Sequence, residues 1–182
     1  RITAYASKLI PLLEPENLPI TPLNHFVQTM ADSIEKETGK VIAIKDGDTI
    51  EVLLNGKAQR VRFAHVDCPE KNQPYGTKAK EFTSEKCFGK LVTLLHTGEY
   101  DRNKRLIAEV IIPNGENLKK KQEKAGLAWH YKKYPADSTY SLLEKRARMA
   151  KKGLWVEKEP VAPWLWRSRK QSGVGSQESG VN

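Results

Sequence analysis

The chain has 182 residues, with 31 lysines and arginines against 22 acids and a formal net charge of +9. That length suits one domain able to bury a core, with chain to spare for an arm or a tail. The basic excess favours a polyanionic partner, either nucleic acid or an anionic membrane surface, while no apolar run approaches the ~20 residues that cross a bilayer, so no membrane-spanning helix is expected in these residues. Two cysteines, Cys68 and Cys87, make no C-x-x-C pair and no disulfide framework; Cys87 falls on the apolar face of a predicted helix and reads as a buried free thiol.

Arg1 opens the chain, so a native start, with any signal peptide, is expected to have been removed or omitted. Residues 1–20 carry Pro11, Pro15 and Pro19 without a sustained period and read as an extended arm. Thr21 as N-cap and Pro22 at the first helical position predict a helix, with Leu23, Phe26, Val27, Met30 and Ile34 as its stripe and Gly39 as its stop. The stripe needs a partner surface, either its own domain or an interdomain or membrane-proximal contact. These residues, 1–39, form an N-terminal arm and helix ahead of a domain expected over 40–167.

A first strand and a hairpin are predicted over 40–66. Ile50–Leu54 is β-branched and apolar, Asn55-Gly56 is the strongest short-range hairpin signal, and Gln59–Val66 returns. Gly76–Gly89 reads as a helix with Ala79, Phe82, Thr83 and Cys87 inward, Leu91–His96 and Leu106–Ile112 as strands, and Asn114-Gly115 as a second tight turn. Leu118–Ala128 predicts a poorly amphipathic helix whose lysine run, Lys119, Lys120, Lys121 and Lys124, reads as a solvated face or as part of an electrostatic footprint for phosphates. Ser141–Lys152 is a clearer helix. Trp155, Trp164 and Trp166, among Pro160 and Pro163, are expected to pin a non-helical tail, and the Gly/Ser-rich residues 168–182 to be disordered. Five short strands with inserted helices make an α+β protein on a small Greek-key barrel of the oligonucleotide-binding (OB) type, with about three packed helices besides the N-terminal one.

The chemistry gathers on the hairpin. Asp48 precedes its first strand and Asp67 follows its second, so the open end brings two carboxylates together, and they repel unless a cation sits between them. Hard, oxygen-seeking ions such as Ca²⁺ or Mg²⁺ are the candidates. Arg62 and Asp67 are five apart and would face opposite sides of a regular strand, so a strand serving one site with both must bulge or end between them, as Pro69 suggests. Glu70, past that proline, can turn back over the ion. An EF-hand fails, because Asp46-Gly47-Asp48-Thr49 is not followed by the rest of the twelve-residue loop.

Several blocks resemble the staphylococcal nuclease (thermonuclease) family in order and approximate spacing: DGDT at 46–49, VRF and VDCPE within 61–70, PYG at 74–76, YDRNKR at 100–105, GLAWHY at 126–131 and GLW at 153–155. The resemblance covers residues 40–167 and implies a Ca²⁺-dependent nuclease that cleaves DNA and RNA with little sequence preference and leaves 3′-phosphate ends. By the same resemblance Arg62 and Arg105 grip the scissile phosphate, Glu70 is general base or orients water, and Asp48, Asp67 and the main-chain carbonyl of Cys68 hold Ca²⁺. Arg102, Tyr131 and Tyr134 fall where the family holds a terminal nucleotide, though core packing is an equal reading of the tyrosines. Two departures stand out: Cys68 where members commonly have Thr or Ala, and Asn103-Lys104 in place of Tyr-Gly. The family also includes scaffold modules that bind nucleic acid without cutting it, a rival reading opposed here by the presence of all the acids and arginines. Single-stranded substrates, a monomer, and a secreted, periplasmic or envelope location are the remaining expectations.

Overall fold

The computed structural model describes residues 33–130 and 138–171. Its strands are β1 (Glu35–Asp46), β2 (Thr49–Leu54), β3 (Lys57–Phe63), β4 (Val66–Asp67), β5 (Leu91–His96), β6 (Leu106–Ile111) and β7 (Trp129–His130). Its helices are α1 (Gly76–Cys87), α2 (Leu118–Lys124), α3 (Ser138–Met149) and α4 (Pro163–Gln171), with a 3₁₀ turn over Gly153–Val156.

Five strands close into a barrel in the order β1-β2-β3-β6-β5, and β5 returns to β1. All neighbours are antiparallel except β3 and β6, which pair parallel at Val61↔Leu106 and Arg62↔Ile107. Closure rests on β1, which is 12 residues long and pairs β2 at one end and β5 at the other. Two irregularities, between Val41 and Ala43 and between Ile44 and Asp46, bend it sharply enough to serve both. Alternation along the strands sends Val41, Ile50, Val52, Val61, Leu94 and Leu106 inside. Each such side chain contributes about 1.5–3 kcal/mol by leaving water.

Asn55 and Gly56 both adopt positive φ, 49° and 77°, the pair a type I′ turn requires, and the hairpin register is Thr49↔Arg62 through Leu54↔Lys57. The return strand ends at Phe63, as the spacing of Arg62 and Asp67 demands; Ala64 and His65 turn the chain and β4 carries Asp67 antiparallel to β7.

Three expectations are corrected. The predicted N-terminal helix cannot run to Gly39, because Glu35–Asp46 is strand and Gly39 pairs with Val92 inside the barrel; an added Cβ there would sit 2.5 Å from the Leu53 carbonyl oxygen. The remainder of that helix, and the arm before it, lie outside the described residues. The lysine run is not a solvated face throughout, since α2 turns Lys119, Gln122 and Glu123 completely inward. Lys119 keeps its charge company with Glu109 at 3.1 Å and lies 3.7 Å from the centre of the Tyr140 ring, so a residue type that reads as surface is buried by pairing. The tail after Pro160 is helical as far as Gln171, so Ser168–Gln171 is not disordered. Pro163 stands first in α4, the position where a missing N–H and a fixed φ favour a helix.

A second, smaller core holds this C-terminal part in place. Trp155 and Trp164 pack edge-on against Trp129, at 4.5 and 5.8 Å between ring centres, with Ala147, Leu154 and Ala162 filling in. The Arg148 guanidinium covers Trp155 at 3.7 Å and pairs with Glu144, which also accepts from the His130 amide. Trp155 and Trp164 thus pin the tail as expected, but what they pin is a helix.

Candidate active site

The open end of the β2–β3 hairpin is knotted by main chain and side chain together. Phe63 donates its amide to the Asp48 carbonyl at 2.9 Å, and Asp48 itself is nearly fully buried. Its Oδ1 accepts from Thr49 Oγ1 at 3.0 Å and its Oδ2 from the Cys68 amide at 2.9 Å, which ties the 46–49 turn to the segment after Asp67. The turn is a place of close approach: a Cβ on Gly47 would lie 2.8 Å from Cys68 Cβ and 2.9 Å from Ala79 Cβ. From behind, Thr83 of α1 and Gln122 of α2 donate to the Gly47 carbonyl at 2.6 and 2.5 Å.

Arg62 spans the two acids. Its Nη2 donates to Asp67 Oδ1 at 2.9 Å, and its Nη1 stands 2.5 Å from Asp48 Oδ2 as an ion pair rather than an aligned hydrogen bond. Burial opposes the charge on this guanidinium, and the Asp48 and Asp67 carboxylates outweigh it, so its pKa is raised. For Asp67 burial wins: its pKa is raised although Arg167 and Arg62 both pull it down. Asp46, beside them, is pushed up to about 6 by burial first and then by the negative charge of Asp48, with Glu70 adding to it. The groove therefore gathers several carboxylates, hard oxygen donors, around the Arg62 guanidinium.

Glu70 stands at the start of a loop closed by Gln73 and Gly76. Its amide donates to Gln73 Oε1 at 3.1 Å and its carbonyl accepts from the Gln73 amide at 2.8 Å, while a Cβ on Gly76 would come within 1.9 Å of that carbonyl oxygen. Arg105 joins the site from just ahead of β6, the strand paired with β3. The Asp101 carboxylate fixes it, accepting from its Nε at 2.7 Å, and its Nη1 donates to Thr49 Oγ1 at 3.0 Å, one residue from Asp48. The turn between them is tight: Asp101 Oδ1 accepts from the amides of Asn103 and Arg105, and Lys104 sits at φ 57°. That is the left-handed conformation for which glycine is the usual residue.

Asp48, Arg62, Asp67, Cys68, Glu70, Arg102 and Arg105 all line one groove. Asp48, Arg62 and Asp67 are in direct contact, Arg105 connects through Thr49, and Arg102 is exposed on the groove's rim. The Cys68 side chain points into the core, where burial holds its thiol protonated, so it meets Asp48 only through its main chain. Tyr131 and Tyr134 lie outside the described residues.

Among the described residues, no three His, Cys, Asp or Glu side chains group closely enough to hold a metal on their own. The donor set still fits a hard divalent ion: two buried carboxylates, Asp48 and Asp67, bridged by one guanidinium, with main chain at Cys68 beside them. Main-chain carbonyl and water would complete such a site.

One participant has no counterpart in the sequence reading. Arg167 of α4 reaches across the groove, donating from Nη2 to Asp67 Oδ2 at 2.7 Å and from Nη1 to Glu70 Oε1 at 2.6 Å and Asp67 Oδ1 at 3.2 Å. The hydrogen bonds to Asp67 and Glu70 overcome burial and raise its pKa. Pro163 as a helix start, with Trp164 and Arg167 three apart on one face, is the signal that could have found it.

A small β-barrel with an acid-and-arginine groove at the mouth of a hairpin defines the class to which this chain is assigned. The chain belongs to the staphylococcal nuclease family: the family model "Staphylococcal nuclease homologue" matches residues 60–157. An Escherichia coli protein named "Uncharacterized endonuclease" is 40% identical over 132 residues, 72% of this chain and 86% of that protein. A protein of the same name from Haemophilus influenzae is 37% identical over 147 residues, 80% of this chain and 82% of that protein. A Shigella flexneri protein named "Micrococcal nuclease" is 35% identical over 139 residues, 71% and 79% of the respective chains.

Proposed function

We propose that this protein is a Ca²⁺-dependent nuclease that hydrolyses phosphodiester bonds of DNA and RNA with low sequence specificity and leaves 3′-phosphate ends. The observation that carries the reading is Arg62, which spans Asp48 and Asp67 in a groove that also takes in Glu70 and Arg105. A phosphodiester is an anion, and attack by water builds more charge on its phosphoryl oxygens. Arg62 and Arg105, each already oriented by carboxylates, offer planar forks matched to that charge from two neighbouring strands. Glu70, held by Gln73 at the groove's edge, orients or deprotonates the attacking water. Asp48, Asp67 and the Cys68 carbonyl would hold a hard divalent ion, which would supply further neutralisation of that charge. Family membership and relatives named as nucleases support the same reading.

The test is degradation of single-stranded DNA and of RNA by the purified chain with Ca²⁺, with Mg²⁺ and with chelator, alongside Glu70→Gln. Cleavage that needs Ca²⁺ and falls by orders of magnitude in the variant is expected. Binding without cleavage under every metal identifies a non-catalytic nucleic-acid-binding module of the same fold instead. An extracytoplasmic setting, where Ca²⁺ is plentiful and no genome is at risk, fits this activity. Recovery of the native protein solely from cytosol would contradict that setting.

A further inference from the structure

Arg167 engages the same carboxylate that the proposed function assigns to a metal ion. Both Asp67 oxygens are engaged by it, Oδ2 at 2.7 Å and Oδ1 at 3.2 Å, and the same guanidinium holds Glu70 Oε1 at 2.6 Å. A divalent ion at Asp67 needs a carboxylate oxygen turned toward it at about 2.3–2.6 Å and repels any guanidinium already there. Of the two arginines on Asp67, Arg62 is the fixed one. Its side chain is 18% exposed and wedged between two acids, whereas that of Arg167 is 41% exposed.

The helix that carries Arg167 is anchored at its other end. Gln73 donates to the Val161 carbonyl at 2.5 Å, Ala162 is buried, and Trp164 packs on Trp129. Arg167 lies a turn further along, so its long side chain can leave Asp67 without the helix undocking. Gln73 also accepts from the Glu70 amide, so the loop bearing Glu70 is tied to this helix through main chain as well as through the guanidinium.

We propose that Arg167 is an exchangeable stand-in for the metal: it neutralises Asp67 and positions Glu70 in the cation-free protein, and it must leave Asp67 when a divalent cation binds. The proposal rests on the reading of Asp48 and Asp67 as metal ligands and adds what sets their affinity. Whatever free energy Arg167 gains on Asp67 is subtracted from cation binding. Replacing it should therefore tighten the site although it removes two ion pairs from the protein.

The experiment is calorimetric titration of Ca²⁺ into the full chain, without nucleic acid, for the wild type, Arg167→Gln and Arg167→Lys, with thermal melts in chelator and in saturating Ca²⁺. Arg167→Gln is expected to bind Ca²⁺ about tenfold more tightly, the equivalent of one partly exposed, multiply hydrogen-bonded ion pair. Arg167→Lys, a point charge without the fork, should fall between. The Ca²⁺-induced rise in melting temperature should be larger in the variants than in the wild type. An unchanged or weaker Kd in Arg167→Gln overturns the exchange while leaving the metal reading intact. If that variant does not fold, an unchanged Kd in Arg167→Lys overturns it equally. Absence of Ca²⁺ binding by every chain overturns the metal reading and the exchange together.

Discussion

Gln122 and Gly47 are joined across the barrel wall by a 2.5 Å hydrogen bond from a fully buried amide to a main-chain carbonyl. The same amide donates to Thr83 Oγ1 at 2.8 Å, and Thr83 in turn donates to Gly47 at 2.6 Å. Two helices therefore hold the turn that presents Asp48. Gln122→Ala removes the bridge, leaves a cavity, and should cost about 1–3 kcal/mol, the range for breaking a buried hydrogen bond. Urea unfolding measures the loss; a change below a few tenths of a kcal/mol would show that Thr83 alone suffices.

Gly76 is the other backbone constraint on the site. Its φ is not in the positive region, so the objection to a side chain is space alone: a Cβ would stand 1.9 Å from the Glu70 carbonyl oxygen and 2.7 Å from its carbon. Gly76→Ala must push the Glu70 loop away. Cleavage is expected to drop at least tenfold, a displacement of under an ångström being enough, with a stability loss of about 1–3 kcal/mol from the forced backbone shift. Wild-type turnover in this variant would show that the loop yields without moving Glu70.

How much of this was legible beforehand follows from what each residue depends on. Asn55-Gly56 declares its turn locally, so the hairpin and the meeting of Asp48 with Asp67 could be read from the sequence. Lys119 and Glu123 could not be read as buried, because their partners lie elsewhere in the chain: Glu109 is ten residues back from Lys119, and His130 stands 3.7 Å from Glu123. Arg167 is harder still. It is a hundred residues from Asp67 in sequence, and it is brought there by tertiary packing, Trp164 on Trp129 and Gln73 on the Val161 carbonyl. Gly39 misled for the opposite reason: a glycine that stops helices is also the residue that lets two strands approach closely.

Lys104 stores strain where the family's pattern has glycine. At φ 57° a side chain costs roughly 1 kcal/mol, and the turn is already closed by Asp101 accepting from the amides of Asn103 and Arg105. Lys104→Gly should raise stability by about 0.5–1 kcal/mol without moving Arg105, because glycine takes this conformation freely. Denaturant midpoints check the gain; a loss would mean that the greater freedom of glycine in the unfolded chain outweighs the relieved strain.

Arg105 and lysine are not equivalent at this position. The guanidinium uses Nε and Nη2 on Asp101 and Nη1 on Thr49, three directions at once, which an ammonium cannot reproduce. Arg105→Lys should leave the fold within about 1 kcal/mol of wild type, since the pair is near the surface, yet lower turnover by about 10²–10³ through loss of oriented charge. Single-turnover rates set against unfolding curves separate the two effects. Near-normal turnover would remove Arg105 from the phosphate.

His65 gives the fold an acid limit. Burial, then the Lys119 charge, pushes its pKa down to about 4, with Glu109 opposing and His130 adding to the drop. An unfolded histidine titrates near 6.5, so between about pH 6.5 and 4 the unfolded chain holds more protons than the folded one. Stability from this group is complete above pH 6.5 and is lost as the pH falls through 4, by up to about 3 kcal/mol. His65→Asn removes the titration while tolerating the positive φ of 61° found there. Unfolding free energies of both chains at pH 7.5 and 4.0, in chelator, should show the wild type losing about 1–3 kcal/mol more than the variant. Equal losses would mean that the imidazole is protonated in the folded protein, with Glu109 rather than Lys119 deciding its charge.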